Sequence, residues 1–513
     1  MSPRDDAVVV LAQLSGLRGG PCARVRPVGG DWQPTTCVPG GAAPSDDPQV
    51  AVDAQGEATV VWERRVDADS TVIYVAGLSL ATGMWSDPAV LSDVREHQRG
   101  PRLAVNAAGD AVVAWTNTTD TNAIVTSRAG AHGSWTSPRD FGFDLAVVET
   151  SNPSVAIAAH QAAVVVWEGR QRSGQGRIIR SRTRAGAGQT ISDAGQDATN
   201  PAAAQSPDGR AVAAWQQQAG ATTSVVRVAV RAPVSGLWQP SQDLDVGQDA
   251  QVATDAQGNA TIAFAARAGI RVARIPSGSS TPLPAETIPG SSGGTLPRLA
   301  VNAAGAAVVV WKANTAHGAV RPAGSAGWSS GAISLNTATT PAVTIDAFGD
   351  ALSTWTDHPI GVVSRVQAAA FDASGPQLNA LEMPPSTHAG VPVTFAVAPL
   401  DVWSRVASTV WSFGDGASAA GTSVSHAFAA AGTYPVTVTS TDALGNTSSD
   451  ARVIGVVGPP PPCGPDCDGD LYPASVDCDD NRAALHPGAD DTPGDGVDQD
   501  CVDGGRDGPR SRQ

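Results

Sequence analysis

The chain has 513 residues and a formal net charge of −16, which leaves no basic surplus to neutralise phosphates and excludes nucleic acid as a partner. No run of about 18 apolar residues is present to span a membrane as a helix. Glycine is abundant without a three-residue period, the hydrophobic fraction of 42 % is too high for a disordered chain, and six cysteines cannot staple a chain of this length, so collagen, wholesale disorder and a disulfide miniprotein are excluded as well.

Near its start the chain enters a β-rich stretch at Ala7–Leu11, with no charged region, apolar core and small-residue cleavage site ahead of it. Residues 5–47 read as the second, third and fourth strands of a four-strand unit whose first strand is missing, so the chain is expected to begin inside a longer gene. Cys22 and Cys37 are expected to pair across a hairpin of this unit.

From Pro48 one template recurs seven times, P-x-V-A-V-[DN]-A-x-G-x-A-x-V-V-W, with starts 44 to 53 residues apart. The aromatic always falls 14 residues after the start, at Trp62, Trp115, Trp167, Trp215, Phe264, Trp311 and Trp355. Glycine recurs at Gly56, Gly109, Gly209, Gly258, Gly305 and Gly349, with Gln161 in its place in the third copy. Asp or Asn recurs at Asp53, Asn106, Asp255, Asn302 and Asp346. Each copy reads as a β-hairpin in which Asp or Asn caps the turn and Gly takes the positive-φ position. A third apolar run follows, then a short piece around Trp32, Trp85, Trp135, Trp238 and Trp328 that reads as an outer strand. Helix is disfavoured because turn residues interrupt every eight to ten positions.

Four short strands per period is the arithmetic of a propeller blade. The template resembles bacterial extracellular repeat proteins with a propeller fold. That resemblance implies an all-β, seven- or eight-bladed β-propeller over residues 1–383, with an incomplete first blade at 5–47 and seven repeats from 48.

The repeated Asp and Asn are expected to be turn caps, not catalytic carboxylates. The strand-end tryptophans are expected to pack between blades, with sugar stacking as the alternative for the outer Trp85, Trp135, Trp238 and Trp328. Polar residues after the second strand are the expected ligand loops: Glu63-Arg64-Arg65, Thr116-Asn117, Glu168-Gly169-Arg170, Gln216-Gln217-Gln218, Lys312 and Asp357-His358. No histidine has a zinc-site spacing. Gly290-Ser291-Ser292-Gly293-Gly294 fits a nucleophile elbow by letter but lies in a Ser/Gly-rich connection.

After about residue 384 the period stops. Residues 385–457 carry Trp411-Ser412-Phe413-Gly414-Asp415-Gly416, then His426-Ala427-Phe428, then Gly432-Thr433-Tyr434-Pro435-Val436-Thr437-Val438. These motifs, in this order, resemble the PKD domain, which implies an immunoglobulin-like β-sandwich acting as a spacer or weak adhesive module. Asp415 and His426 are expected to be structural. A Pro-rich linker occupies 458–462.

The acidity is local: residues 463–503 hold 12 Asp and one Arg, so this segment carries −11 of the total. Asp466, Asp468 and Asp470 stand at positions 1, 3 and 5 of a loop, Tyr472 at position 7, where a backbone carbonyl serves, and Asp477 at position 12. That is oxygen-ligand spacing for Ca²⁺. Asp479, Asp480, Asp490, Asp495, Asp498 and Asp500 are candidates for a second ion, and without an ion the charges would repel, so folding is expected to be coupled to metal. The segment 463–505 resembles the Asp/Cys-rich metal-binding motif at the ends of secreted bacterial proteins, and thrombospondin type 3 calcium repeats. Cys463, Cys467, Cys478 and Cys501 permit three pairings, and zinc through Cys463 and Cys467 is a weaker rival because the neighbours are carboxylates. Cysteine use favours an oxidising compartment.

Together these readings give an extracellular or cell-surface, monomeric, non-enzymatic binding or adhesion protein. Ca²⁺ is the expected cofactor and a glycan or cell-surface molecule the expected partner. A secreted glycoside hydrolase or lyase on a propeller, and a structural stalk component, are the alternatives.

Overall fold

The computed structural model describes every residue except 3–5, 13–19, 41–44, 68–69, 95, 120–121, 129, 141–146, 159–162, 173, 175, 184–185, 187, 194, 221, 234, 335–337, 340, 358–364, 459–465, 474, 480, 491, 493–496 and 503–513. The described residues form strands and turns with no helix. They divide into two compact units, Met1–Ser374 and Gly375–Gln513.

The first unit holds eight antiparallel sheets that follow one another in chain order. The second sheet shows the pattern in full: an inner strand Ser45–Val52, then Glu57–Arg65, Thr71–Ser79 and a short outer strand Ala89–Val90. The next five inner strands are Gln98–Val105, Val147–Ile157, Ala198–Gln205, Gln248–Thr254 and Thr295–Val301, each packed beside its neighbour. The eighth sheet has three strands among the described residues, Ala342–Ile345, Ala351–Asp357 and Arg365–Phe371.

The first sheet, Ala7–Leu11, Cys22–Arg26 and Thr36–Cys37, also has three strands. Its turn identifies which strands these are. The Ser2 amide donates to the Asp6 carbonyl at 2.8 Å, as the Asp53 amide donates to Glu57 at 3.1 Å in the second sheet. Ala7–Leu11 therefore corresponds to Glu57–Arg65, and among the described residues the sheet holds counterparts of the second, third and fourth strands. The Met1 nitrogen donates to Thr344 Oγ1 at 3.3 Å, and Val8, Val9 and Val10 line one cavity with Ala342, Val343 and Thr344 of the eighth sheet. Among the described residues the first unit has eight sheets, the larger of the two expected numbers.

Local chemistry accounts for the repeat. Asp53 Oδ1 accepts the amides of Gln55 and Glu57, both at 2.9 Å, and Asn302 Oδ1 accepts those of Ala304 and Ala306. Asp346 Oδ1 accepts three amides, from Phe348, Gly349 and Asp350, each at 2.9 Å. The following glycines take φ values between 79° and 102°, the region a side chain makes costly.

The strand-end aromatics bind sheet to sheet. Trp215 packs on Ile179 and Ile191 of the preceding sheet, Trp115 on Ile73 and Leu91, and Trp311 on Ile270 and Ile288. The outer tryptophans are also tied to the preceding sheet: Trp85 Nε1 donates to Thr36, Trp238 to Ser181 and Trp328 to Glu286. Arg128 lies over Trp135 and Arg321 over Trp328. These contacts tie the outer rings to their neighbouring sheets and strands. Ser291 is buried, accepts the Ile270 amide and donates to Ile288 O, so the G-x-S-x-G letters carry no nucleophile.

In the second unit, Gln377–Glu382, Val393–Leu400 and Ser423–His426 form one sheet. Ser386–His388, Thr447–Val457, Gly432–Asp442, Val406–Ser412 and Ser418–Ala420 form the other. Phe395, Trp411, Phe413 and Phe428 fill the core between them. Gln377–Glu382 pairs with Val393–Leu400, so the sandwich reaches upstream of residue 385, where its motifs begin. Asp415 accepts the Ala417 amide at 3.0 Å and meets His426 Nε2 at 2.8 Å, and the His426 ring stacks on Phe413. The acidic tail is built of turns.

Candidate functional site

The inner strands enclose a central channel of about 890 Å³. One irregularity recurs at the same place in six of them. Pairing with the second strand slips between Asp46 and Gln49, Arg99 and Arg102, Ser151 and Ser154, Thr199 and Ala202, Gln248 and Gln251, and Thr295 and Arg298. Each slip inserts one extra residue, a β-bulge. At each bulge one residue takes a positive φ: Asp47 (47°), Gly100 (62°), Asn152 (48°), Asn200 (52°), Asp249 (55°) and Leu296 (50°). Proline follows in five of the six. It has no N–H to lose from the ladder, and the innermost strand is an edge, where proline is tolerated.

The bulge re-aims the residues around it. Asp47, Asn152, Asn200 and Asp249 from the bulges, and Gln49, Arg102, Ser154, Gln251 and Arg298 one position past the proline site, all line the channel. Arg102 Nη1 meets Asp47 Oδ2 at 3.0 Å. Burial pushes the Asp249 carboxyl above the usual carboxylate range, with Arg298 opposing. Burial also weakens the hold of Arg298 on its proton, and the like charge of Arg102 adds to this while Asp249 opposes it.

The residues expected to form ligand loops are placed differently. Glu63 to Arg65, Thr116-Asn117, Glu168 to Arg170, Gln216 to Gln218, Lys312 and Asp357 continue the second strands, and His358 lies outside the described residues. Glu168 is buried and accepts the Asn200 amide at 2.7 Å and the Asn152 side-chain amide at 2.8 Å, with Arg177 at 3.3 Å. Glu63 accepts the Gly100 amide at 3.2 Å; burial raises its carboxyl and this bond opposes the shift. Both glutamates tie one sheet to the bulge of the next, a structural task. In four of the six, Asp, Asn or Gly stands directly before proline inside a strand, the one trace of the bulge in the sequence.

In the tail, Asp466, Asp468 and Asp470 bring carboxylate oxygens within 4.8 Å of one another. The backbone fixes one oxygen of several. Asp466 Oδ1 accepts Gly469 N at 2.8 Å and Oδ2 accepts Leu471 N at 2.9 Å, Asp470 Oδ1 accepts Tyr472 N at 2.8 Å, and Asp477 Oδ1 accepts Asp479 N at 2.9 Å. Asp468 Oδ2, Asp470 Oδ2 and Asp477 Oδ2 are all buried atoms with no hydrogen-bond partner. Desolvation and the charges of Asp470, Asp477 and Asp466 raise the Asp468 carboxyl. Three orphaned carboxylate oxygens fit a hard cation. Tyr472 stacks on His486 with ring centres 4.7 Å apart.

Cys478 and Cys501 form a disulfide beside Asp477, so they offer no thiolate, and Cys22 and Cys37 form the other described bridge. Cys463, Asp480 and Asp495 lie outside the described residues. Among the described residues, Asp479, Asp490, Asp498 and Asp500 do not gather into a second group: Asp479 lies 3.6 Å from Arg482, and Asp498 and Asp500 both accept the Val502 amide.

Residues 373–456 match the model of the PKD domain. No curated protein matches the chain. Among solved structures, the PKD1 domain of Vibrio anguillarum Epp is 27 % identical, covers 17 % of this chain and all of its own, with a TM-score of 0.15. The Dos1 propeller is 8 % identical over 69 % of this chain and 87 % of its own, with a TM-score of 0.43. A polysaccharide lyase of family PL25, an ulvan lyase, is 9 % identical over 62 % and 90 %, with a TM-score of 0.39. This lyase, together with an α-L-arabinanase of Penicillium chrysogenum and a trans-sialidase of Ruminococcus gnavus, overturns the expectation that such a chain is not an enzyme. The chain is an all-β protein with a propeller-like unit and, at residues 373–456, a PKD domain.

Proposed function

We propose that this is an extracellular glycan-binding protein with a Ca²⁺-binding C-terminal module. The observation that carries the Ca²⁺ reading is the set of three buried, unpartnered oxygens on Asp468, Asp470 and Asp477. Asp466 completes the donor set, and the backbone amides that hold the other oxygens preorganise the loop. Carboxylates select Ca²⁺ over thiophilic metals. Two disulfides and a PKD domain support placement outside the cell, where modules of this kind bind Ca²⁺ at about 10⁻⁴–10⁻³ M.

The test is calorimetry on the full chain, first in EGTA and then with millimolar Ca²⁺. Binding heat and a raised melting transition are expected, both lost in Asp468→Asn. No heat and an unchanged melt would overturn the reading.

For the glycan, the supporting observation is the channel mouth. Gln49, Asn152, Asn200 and Gln251 present side-chain amides and Ser154 a hydroxyl around one concavity. Such groups match the donor and acceptor pattern of sugar hydroxyls. Screening the full chain against a glycan array and then repeating the screen with Asn200→Ala tests it. Binding that falls in the variant supports the channel, and no binding to any glycan refutes it.

A further inference from the structure

The channel mouth has a hidden two-fold pattern. Asp47 and Gln49 stand on the second sheet, and Asp249 and Gln251 at the same positions of the sixth. Arg102 stands on the third sheet and Arg298 at the same position of the seventh. In a ring of eight sheets, members four apart face each other. The two arginines thus enter one channel from opposite sides, each beside an aspartate of the preceding sheet.

The halves are not equally satisfied. Arg102 is paired with Asp47 at 3.0 Å. Arg298 donates to the carbonyl of its own neighbour Pro297 at 3.0 Å, and no carboxylate among the described residues makes an ion pair with it. Burial already disfavours its charge, and Arg102 adds repulsion. A half-buried guanidinium with this surround has five donors and few acceptors, and an anion with several acceptor oxygens is what satisfies them. Two guanidinium groups facing across a narrow channel neutralise such an anion better than either alone.

We infer that Arg102 and Arg298 clamp an anionic group of the ligand, and that the glycan entering the channel is therefore acidic, carrying carboxylate or sulfate. This rests on the reading of the channel as a glycan site. The amides of Gln49 and Gln251, at equivalent positions on facing sheets, would flank the anionic sugar and take its hydroxyls. Asp47 would release Arg102 toward the ligand.

The experiment is calorimetric titration of the full chain with four probes: oligogalacturonate, its methyl ester, dextran sulfate and neutral dextran. An acidic probe binding at least tenfold more tightly than its neutral match supports the clamp, and the two pairs separate carboxylate from sulfate. Arg298→Gln should weaken acidic binding at least tenfold and flatten its salt dependence. Its thermal melt checks that the variant is folded. Acidic binding unaltered in Arg298→Gln, with the protein still folded, overturns the clamp. Neutral probes binding as tightly as acidic ones, with loss in Asn200→Ala, would leave the glycan channel standing and refute the anion. No binding of any probe refutes both.

Discussion

Glu168 offers a sharp test of how the ring is held together. Its carboxylate is 1 % exposed and accepts from Asn200 N at 2.7 Å, Asn152 Nδ2 at 2.8 Å, Ser151 Oγ at 3.3 Å and Arg177 Nη1 at 3.3 Å. The Arg177 side chain is 44 % exposed, so that ion pair contributes only about 0–1 kcal/mol. The two amide bonds are charge-assisted and worth roughly 1.5–3 kcal/mol each. Asn152 and Asn200 can regain some water from the channel, which trims the sum. Glu168→Ala should cost about 3–4 kcal/mol, and Glu168→Gln, which keeps one acceptor oxygen, about 1–2 kcal/mol. Urea unfolding followed by tryptophan fluorescence reads both. A cost below about 1 kcal/mol for the alanine variant would refute the structural role and return Glu168 to the list of ligand residues.

Three further outcomes are expected. Asp346→Ala strips three amides of their acceptor and should cost about 1–2 kcal/mol by the same assay. Leu296 holds a φ of 50°, which a branched side chain tolerates poorly, so Leu296→Asn should stabilise the propeller by about 0.5–1 kcal/mol; a lower urea midpoint would contradict it. In the sandwich, burial alone would lift the Asp442 carboxyl, but bonds from Asn446, Ser404 and Leu444 outweigh it and hold the group below its usual range. Its contribution is therefore complete above about pH 4 and lost as pH falls through the folded value. Thermal melts from pH 6 to pH 2 should show this loss, and Asp442→Asn should flatten it; equal slopes for both proteins would refute the assignment.

What could be read in the sequence was whatever chemistry acts locally. The cap-and-glycine turn needs only four consecutive residues, so Asp53 with Gly56 or Asn302 with Gly305 announce themselves at a fixed spacing. The tail loop is legible for the same reason: alternate aspartates over five residues can converge without help from elsewhere. The channel mouth was not legible, because a one-residue slip of register reverses which face a side chain occupies. Arg102 and Arg298 look like solvated strand residues until the bulge before them is known. Glu168 was misplaced because its partners, Asn152 and Asn200, come from inner strands of two different sheets, 16 and 32 residues away.

The repeated bulge divides the channel wall into two kinds of position. Where φ is positive, the backbone dictates the residue, and Asp, Asn and Gly fill five of the six places. One step past the proline site the backbone is ordinary strand, and the side chains there run from Ala202 through Ser154 and Gln49 to Arg102. The first set holds the geometry while Asn152 and Asn200 within it still face the channel, and the chemistry varies most freely in the second. A ring built this way can be re-specified by single substitutions at the free positions, one sheet at a time, while the frame that aims them stays fixed.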